Sequence, residues 1–211
     1  MKIVILDFDG TMGDTAAVIV QTMQATIREL NLPARTDEQC ASMIGLRLVE
    51  IPPVLFPECG LDGEFYAETY RRLFKIYNTD NAVKLYPNVP ETLIELKNRG
   101  YVLTIASSRS RKTLVEYVER LGLSEHISYI LGADDVVNGK PDPEPVNRTL
   151  DKYGFDAQDA IVVGDTEYDI LMGKNAGTYT CGVTYGNGSR ESLKDADWII
   201  DDFGTLLEII K

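Results

Sequence analysis

The chain has 211 residues, enough for one domain or for one domain that carries an insert. Hydrophobic residues make up 44% of it and charged residues 26%, a composition that excludes an intrinsically disordered chain. The 33 Asp and Glu residues outnumber the 21 Lys and Arg residues and leave a formal net charge of −12, which disfavours binding to nucleic acid or to an anionic membrane surface.

The apolar runs along the chain predict a parallel sheet. The first run, Ile3–Leu6, is continuous rather than alternating, as is typical of a strand that is covered on both faces. Similar runs follow at residues 102–106, 127–131, 161–163, 179–183 and 198–200. Amphipathic helices are expected between them, at residues 87–99, 112–121, 143–153 and 167–176. Alternating strands and helices predict a doubly wound, Rossmann-like α/β fold.

Residues 15–83 interrupt this alternation. They contain no convincing strand, and their helical patterns cover residues 16–30, 37–44, 46–56 and 64–77. We therefore expect a helical cap over residues 15–83, inserted into an α/β core that comprises residues 1–14 and 84–211.

The cysteines and the N-terminal residues bear on localisation. Cys40, Cys59 and Cys181 form no closely spaced pair, which favours a reducing compartment. The first apolar run has four residues, too few for the core of a signal peptide. We expect a cytoplasmic protein, a monomer or weak dimer, with no nucleic-acid or membrane partner.

Reactive side chains follow several of the predicted strands. Ligands of open α/β sheets bind beyond the carboxyl ends of the strands. Asp7 ends the first strand, Ser107 the second and Asp165 the fourth, while Lys140 lies in the loop after the third. These residues are far apart in sequence, yet the predicted fold brings them to one edge of one sheet.

The acidic residues at this edge predict a metal site. Asp7 and Asp9 would share a side-chain direction if the strand persisted to Asp9, because the strand period is two. Asp165 and Asp169 add further negative charge. Oxygen ligands without a nearby His or Cys favour a hard cation, and we predict Mg²⁺.

Each of these residues also has an ordinary structural explanation when it is taken alone. An Asp at a strand end caps a turn, Ser107 is a candidate helix N-cap, and Lys140 is a candidate solvated loop residue.

Lys140 and the Ser107 hydroxyl would together hold an anion that the metal also touches, and a phosphoryl group fits this description. The convergence of all of them favours the functional interpretation.

Four short motifs carry a family resemblance. They are Asp7-Phe8-Asp9-Gly10-Thr11, then Ser107-Ser108, then Gly139-Lys140-Pro141-Asp142-Pro143, and finally the segment from Gly164 to Asp169. Because these motifs occur in this order and at the ends of these strands, the chain resembles the haloacid dehalogenase superfamily. Within it, the chain is similar to the phosphoglycolate-phosphatase-like and β-phosphoglucomutase-like branch, whose members carry a helical cap.

The resemblance implies a Mg²⁺-dependent phosphatase that hydrolyses a small-molecule phosphate monoester, either phosphoglycolate-like or a sugar phosphate. Asp7 would be the nucleophile that forms an aspartyl-phosphate, and Asp9 would protonate the leaving alcohol and then activate water. The implied phosphate-binding residues are Thr11, Ser107, Ser108 and Lys140. The implied metal ligands are Asp7, the main-chain carbonyl of Asp9, Asp165 and, through water, Asp169.

The cap is expected to supply substrate specificity. Arg47, which follows Gly45 in the predicted cap, is the candidate substrate contact, with a surface arginine beside a helix end as the alternative. Arg109 and Arg111, close to Ser107, are further candidate anion contacts. Met12 and Gly13 depart from the bulkier residues usual in this family, which leaves the substrate open among phosphoglycolate, sugar phosphates, pyrophosphate and nucleotides.

Two other functions share parts of this chemistry. A sugar-phosphate mutase of the same family keeps both Asp7 and Asp9 but returns the phosphoryl group to the substrate. A receiver-type signalling domain also uses an aspartyl-phosphate, but its acceptor follows a third strand and it has no helical insert. The position of Asp7 after the first strand and the chain length disfavour the receiver.

Overall fold

The computed structural model describes residues 1–211, in which eight strands and nine α-helices form. The strands are β1 (Ile3–Leu6), β2 (Gly13–Asp14), β3 (Lys84–Leu85), β4 (Val102–Ala106), β5 (Tyr129–Leu131), β6 (Ala160–Gly164), β7 (Tyr179–Val183) and β8 (Trp198–Ile200). The helices are α1 (Ala16–Glu29), α2 (Asp37–Ala41), α3 (Ile51–Leu55), α4 (Gly63–Tyr77), α5 (Val89–Asn98), α6 (Arg111–Arg120), α7 (Glu144–Tyr153), α8 (Glu167–Asn175) and α9 (Leu206–Ile209).

Six strands form one parallel sheet in the order β5-β4-β1-β6-β7-β8. The central strand β1 pairs with β4 on one side and with β6 on the other, so that Leu6 lies opposite both Ile105 and Val163. The chain winds outward from β1 to β5 and then returns to build the other half of the sheet. This topology confirms the predicted doubly wound fold and places the carboxyl ends of β1, β4 and β6 side by side.

Both faces of the sheet are covered by apolar side chains. Val4 and Leu6 belong to a cluster of 34 buried residues on one face, whereas Ile3 and Ile5 belong to a cluster of eight on the other. Successive side chains of a strand point to opposite faces, and all four are fully buried. The continuous apolar run at the start of the chain follows from this burial on two sides.

Helices α1 to α4 lie between β2 and β3, in the segment predicted as the cap; we call residues 15–83 the helical insert. Strands β2 and β3 form an antiparallel pair where the chain enters and leaves this segment, with Gly13 opposite Leu85 and Asp14 opposite Lys84. The sequence did not predict this pair because a strand of two residues has no recognisable periodicity. The pair holds the two connections of the helical insert together.

The second half of the helical insert differs from the prediction. The helix expected over residues 37–44 ends at Ala41, and the one expected over residues 46–56 is a 3₁₀ turn, Leu48–Glu50, followed by the short α3. Gly45, at the end of the turn that follows α2, adopts a φ of +106°, a left-handed conformation that no right-handed helix can continue through. Pro52 and Pro53 lack the N–H that a helix interior needs, so they are accommodated in the first turn of α3.

The helical insert and the rest of the chain, residues 1–14 and 84–211, which we call the sheet domain, share an apolar interior. Met23 of α1 and Tyr66 of α4 are fully buried in the same cluster as Phe8, which follows β1. This shared burial seats the insert against the end of the sheet where the reactive residues lie.

None of the helices combines the length and the apolar composition that crossing a membrane requires.

Two neighbouring positions on α5 test how the core is assigned. Leu93 is fully buried and Ile94 is 43% exposed. We expect Leu93→Ala to lower the free energy of unfolding by about 2–5 kcal/mol because it leaves a cavity. The matched variant Ile94→Ala should cost less than about 1 kcal/mol because it removes little buried surface. Urea denaturation measures both values, and equal losses would contradict the assigned helix face.

Candidate active site

Three of the predicted site residues follow adjacent strands. The Asp7 N–H continues the sheet by donating to the Val163 carbonyl at 2.9 Å, and the Ser107 N–H donates to the Leu131 carbonyl at 3.1 Å. Asp165 follows β6 directly. Asp7, Ser107 and Asp165 are buried, so the end of each strand presents a fixed polar side chain to the same edge.

An acidic cluster lies at this edge. Asp7, Asp165 and Asp169 each offer a carboxylate oxygen, and these oxygens lie within 4.8 Å of one another. The Lys140 ammonium donates to Asp7 Oδ1 at 2.5 Å and to Asp169 Oδ1 at 2.6 Å. All four side chains are almost inaccessible to solvent. The loop after β5 therefore brings the predicted lysine into the middle of the predicted aspartates.

Burial and the neighbouring charges both shift the pKa values in this cluster. Burial and, after it, the charge of Asp169 together raise the pKa of Asp165 to about 7. Burial also raises the pKa of Asp7, while Lys140 acts in the opposite direction. For Lys140, burial lowers the pKa of the ammonium, but Asp169 and Asp7 outweigh this and raise it. One buried cation thus faces three buried acids.

The donor set fits a divalent metal ion. Three carboxylates and one ammonium leave a formal charge of −2 when all are ionised. The available donor atoms are oxygens, which hard cations such as Mg²⁺ prefer. A cation of two charges would balance the formal charge of the cluster and offset the mutual repulsion of its carboxylates.

Asp165 is held in place from two sides. The Thr11 hydroxyl donates to Oδ1 at 3.1 Å, while the Asn187 N–H and side-chain amide donate to Oδ2 at 2.7 and 2.9 Å. Sequence reasoning missed Asn187. The sequence pattern that could have indicated Asn187 is its position between two glycines, Gly186 and Gly188, in the loop after β7. In the structure, a side chain at either glycine would collide with Asp165.

Thr11, predicted to bind phosphate, has a fully buried side chain. Its hydroxyl donates to the Asp165 carboxylate at 3.1 Å. Its contact with phosphate stays a prediction.

Asp169 is oriented by the start of α8. It occupies the third position of this helix, where Oδ2 accepts from the Thr166 N–H at 3.1 Å and from the Thr166 hydroxyl at 2.7 Å. This reciprocal capping arrangement satisfies the free N–H groups of the first turn. It leaves Oδ1 to face Lys140.

The first strand does not persist to Asp9, so the condition under which Asp9 would share a side-chain direction with Asp7 is not met. Strand β1 ends at Leu6, and the chain turns so that the Phe8 carbonyl accepts from the N–H groups of Met12 and Gly13. Asp9 therefore has no shared strand face with Asp7 and lies outside the acidic cluster. Its carboxylate instead forms a two-pronged ion pair with Arg109.

The two serines have different surroundings. Helix α6 begins at Arg111, so Ser107 is not its N-cap; the Ser107 hydroxyl accepts from the Arg109 N–H at 3.3 Å. The Ser108 hydroxyl donates to the Gly45 carbonyl of the helical insert at 2.6 Å. Ser108 is therefore a contact between the insert and the sheet domain as well as a residue of the site.

Arg47 bridges the helical insert and the sheet domain. Its guanidinium donates to the Ala133 and Val137 carbonyls, both at 2.9 Å. Arg47 also lines the cavity of the site, so it is not a free surface arginine. Arg111 does not line the cavity and pairs with Asp135 at 3.5 Å.

A cavity of about 680 Å³ lies between the helical insert and the edge of the sheet. From the sheet domain it is lined by Asp7, Asp9, Ser107, Ser108 and Arg109, among others. From the insert it is lined by apolar side chains that include Met23, Ile44, Tyr70 and Phe74, and by Arg47, Arg71 and Lys75. The cavity therefore has carboxylates on the side of the sheet domain, apolar side chains on the side of the insert, and cationic groups on both sides.

Comparison with known sequences identifies the family. The sequence model of the haloacid dehalogenase-like hydrolases matches residues 4–183, which include every predicted site residue. The chain belongs to this family. The prediction of a hydrolase of the haloacid dehalogenase superfamily is thereby confirmed.

Two relatives match the chain over its full length. A phosphoglycolate phosphatase from Vibrio cholerae is 32% identical, and the alignment covers 100% of this chain and 97% of the relative. The pyrophosphatase PpaX from Oceanobacillus iheyensis is also 32% identical over the same shares of both chains. Both relatives are phosphatases by name, but the substrates in their names differ, so they do not indicate a single substrate.

A solved structure supports the fold. A protein from Haemophilus somnus, described as a predicted phosphoglycolate phosphatase, superimposes with a TM-score of 0.85 at 27% identity. The match covers 100% of this chain and 98% of that one. Both the sheet domain and the helical insert therefore have counterparts in a solved member of the family.

Removal of the buried ammonium tests the balance of charges. We expect Lys140→Met to lower the free energy of unfolding of the metal-free protein by about 3 kcal/mol, because it leaves buried carboxylates uncompensated. Lys2→Met is the matched control: Lys2 pairs with Asp159 at 2.9 Å but is 60% exposed, so its loss should cost less than about 1 kcal/mol. Urea denaturation with EDTA present measures both, and a Lys140→Met protein as stable as the control would refute the charge balance.

Proposed function

We propose that the chain is a Mg²⁺-dependent phosphatase that hydrolyses a small phosphorylated metabolite through an aspartyl-phosphate on Asp7. The proposal rests on the surroundings of the Asp7 carboxylate. Its carboxylate receives one hydrogen bond, from Lys140 to Oδ1, and it lines the base of the cavity. Both relatives named above act on phosphate compounds, which supports phosphoryl chemistry here.

Asp7 is the nucleophile in this proposal. Its free carboxylate oxygen forms a bond to phosphorus while the bond from phosphorus to the ester oxygen breaks. Water then attacks phosphorus, the bond to Asp7 breaks, and inorganic phosphate leaves. Lys140 holds Oδ1 during both steps, so the attacking oxygen keeps its direction.

Asp9 is the proton carrier in this proposal. It donates a proton to the leaving alkoxide in the first step and takes a proton from the attacking water in the second. Its place beside Asp7 in the lining of the cavity supports this role, although the two are not neighbours on a strand. Two acids with separate partners, Lys140 and Arg109, can perform these two tasks.

The phosphoryl group would be held by Lys140 and by the hydroxyls of Ser107 and Ser108. Ser107 is the better placed serine, because its hydroxyl accepts only from a backbone N–H and keeps its own proton to donate. Thr11 contributes through Asp165. Charge-assisted hydrogen bonds from an ammonium are among the strongest available to a phosphoryl oxygen.

Asp7, Asp165, Asp169 and the main-chain carbonyl of Asp9 would hold the metal ion. When bound, Mg²⁺ would neutralise negative charge on the transferring phosphoryl group. Thr11, Asn187 and Thr166 would keep the carboxylates in position. Contacts that orient the ligands of a metal in this way commonly set the affinity of the site.

The helical insert serves as the cap in this proposal. The bonds from Arg47 and Ser108 close it over the sheet edge, which restricts the access of water to the aspartyl-phosphate. A phosphoglycolate-like compound or a sugar phosphate would place its leaving group against the insert, where Arg47 is the candidate contact for a second anionic group.

The nucleophile is tested by Asp7→Asn. We expect it to abolish phosphate release from p-nitrophenyl phosphate with Mg²⁺ present, because an amide oxygen does not form the covalent intermediate. Asp151→Asn, an exposed position on α7, is the control and should keep wild-type turnover. Full activity in Asp7→Asn would refute the proposal, and conversion of a sugar phosphate to its isomer without phosphate release would indicate a mutase.

The metal site is tested by Asn187→Ala. We expect Mg²⁺ affinity to fall about 10–100-fold, because Asp165 loses an orienting amide. Asn147→Ala, on the exposed side of α7, should bind Mg²⁺ like the wild type. Isothermal titration calorimetry on the EDTA-treated and dialysed protein measures both affinities. Unchanged Mg²⁺ affinity in Asn187→Ala, or no Mg²⁺ binding by the wild type, would contradict the assigned site.

A further inference from the structure

One wall of the cavity is apolar and incompletely covered. Residues 43–51 of the helical insert, which we call the apolar segment, contribute six apolar side chains to it: Met43, Ile44, Leu46, Leu48, Val49 and Ile51. Met43, Leu46, Leu48 and Val49 are only half-buried. Apolar surface that is wet inside a cavity favours a ligand that covers it, because covering it releases water. The apolar segment is therefore suited to the apolar part of a ligand.

The uncovered apolar surface is mainly aliphatic. The two aromatic residues of the lining, Tyr70 and Phe74, are both nearly buried and stack on each other with ring centres 5.8 Å apart. The Arg109 guanidinium carbon lies 5.0 Å from the Phe74 ring centre. These rings are already engaged within the protein. What is left for a ligand is Leu, Val and the flexible Met43, whose side chain adapts to varied shapes.

The cations inside the cavity also have partners. Arg47, the candidate contact for a second anionic group, donates to two main-chain carbonyls of the sheet domain, both at 2.9 Å. Arg109 forms a two-pronged pair with the Asp9 carboxylate. The other cations of the lining are exposed to solvent: Arg71, Lys75 and Lys112. A second anionic group in the interior would therefore compete with existing contacts, whereas an apolar group would not.

The cavity is large for a small polar ester. Its volume of about 680 Å³ lies within the range of about 300–1,000 Å³ that is typical of sites for drug-sized ligands. A phosphoryl group beside Asp7 and Ser107 fills only the end of the cavity at the sheet edge. The alcohol of the ester fills the rest. Glycolate or glycerol would leave the apolar segment uncovered.

We propose that the alcohol of the substrate is apolar and mainly aliphatic, larger than glycolate or glycerol, and that the apolar segment recognises it by burying its surface. The inference rests on the proposed function, because it concerns the alcohol that the phosphatase releases. The phosphoryl group stays at the sheet edge, and the alkyl chain extends across the cavity to the half-buried side chains of the insert. Selectivity then comes from buried apolar area rather than from a second charge.

A series of primary alkyl phosphates tests the proposal, because their alcohols are similar leaving groups that differ in apolar length. We expect kcat/KM for phosphate release to rise about fourfold for each added CH₂ from ethyl to hexyl phosphate, the effect of burying one CH₂. The gain should appear in KM, since the contact is the same in the ground state and the transition state. Phosphoglycolate and glycerol 2-phosphate should be poorer substrates than hexyl phosphate.

A conservative variant tests the apolar segment. Val49→Thr replaces a methyl group with a hydroxyl of similar size, and we expect it to lower kcat/KM about tenfold for hexyl phosphate but less than about twofold for ethyl phosphate. Val54→Thr is the matched control, since Val54 lies on α3 outside the cavity and is 55% exposed; it should change neither value. Met43→Gln provides a second variant if Val49→Thr folds poorly, and thermal melting checks the folding of each.

Binding of alkylphosphonates gives the same comparison without turnover. With Mg²⁺ present, isothermal titration calorimetry should give hexylphosphonate a Kd about 100-fold below that of ethylphosphonate. If no ester releases phosphate but this difference in Kd is found, the proposed function fails and the apolar site stands.

Three results would overturn the inference. They are a kcat/KM or Kd that does not depend on chain length, a preference for phosphoglycolate over hexyl phosphate, and equal losses for ethyl and hexyl phosphate in both Val49→Thr and Met43→Gln.

Discussion

The site depends on one interaction, the contact of the buried Lys140 ammonium with two buried carboxylates. Without it, the carboxylates of Asp7, Asp165 and Asp169 would repel one another away from water, because their oxygens lie within 4.8 Å. Lys140 offsets part of this repulsion but leaves the cluster with excess negative charge. A pocket that is short of positive charge is suited to a metal ion and, next to it, to a phosphoryl group.

The parallel sheet is what makes such a cluster possible. Its neighbouring strands end at one edge, so Asp7 after β1 and Asp165 after β6 are adjacent although they are 158 positions apart along the chain. The helix that follows β6 adds Asp169 one turn later and binds it through the backbone of Thr166. The rigid hydrogen bonding of strand ends and helix starts then holds the charges where flexible loops would let them separate.

The helical insert completes the site through polar contacts at its rim and an aromatic contact in its interior. Arg47 and Ser108 tie it to the sheet domain at the rim, and Phe74 reaches Arg109 within the cavity. These contacts join the insert to the sheet domain on both the rim and the interior of the cavity.

The amino-acid sequence by itself determined the fold and most of the acidic site. The continuous apolar strands indicated a sheet covered on both faces. A position after a parallel strand can be recognised from the local sequence, and this indicated the site residues Asp7, Lys140, Asp165 and Asp169. Only the tertiary structure decided the partners. The Arg109–Asp9 pair, the support of Asp165 by Asn187 and the two-residue pair of β2 and β3 join segments that are distant in sequence. They follow from how packing orients side chains and short backbone segments, which periodicity does not record.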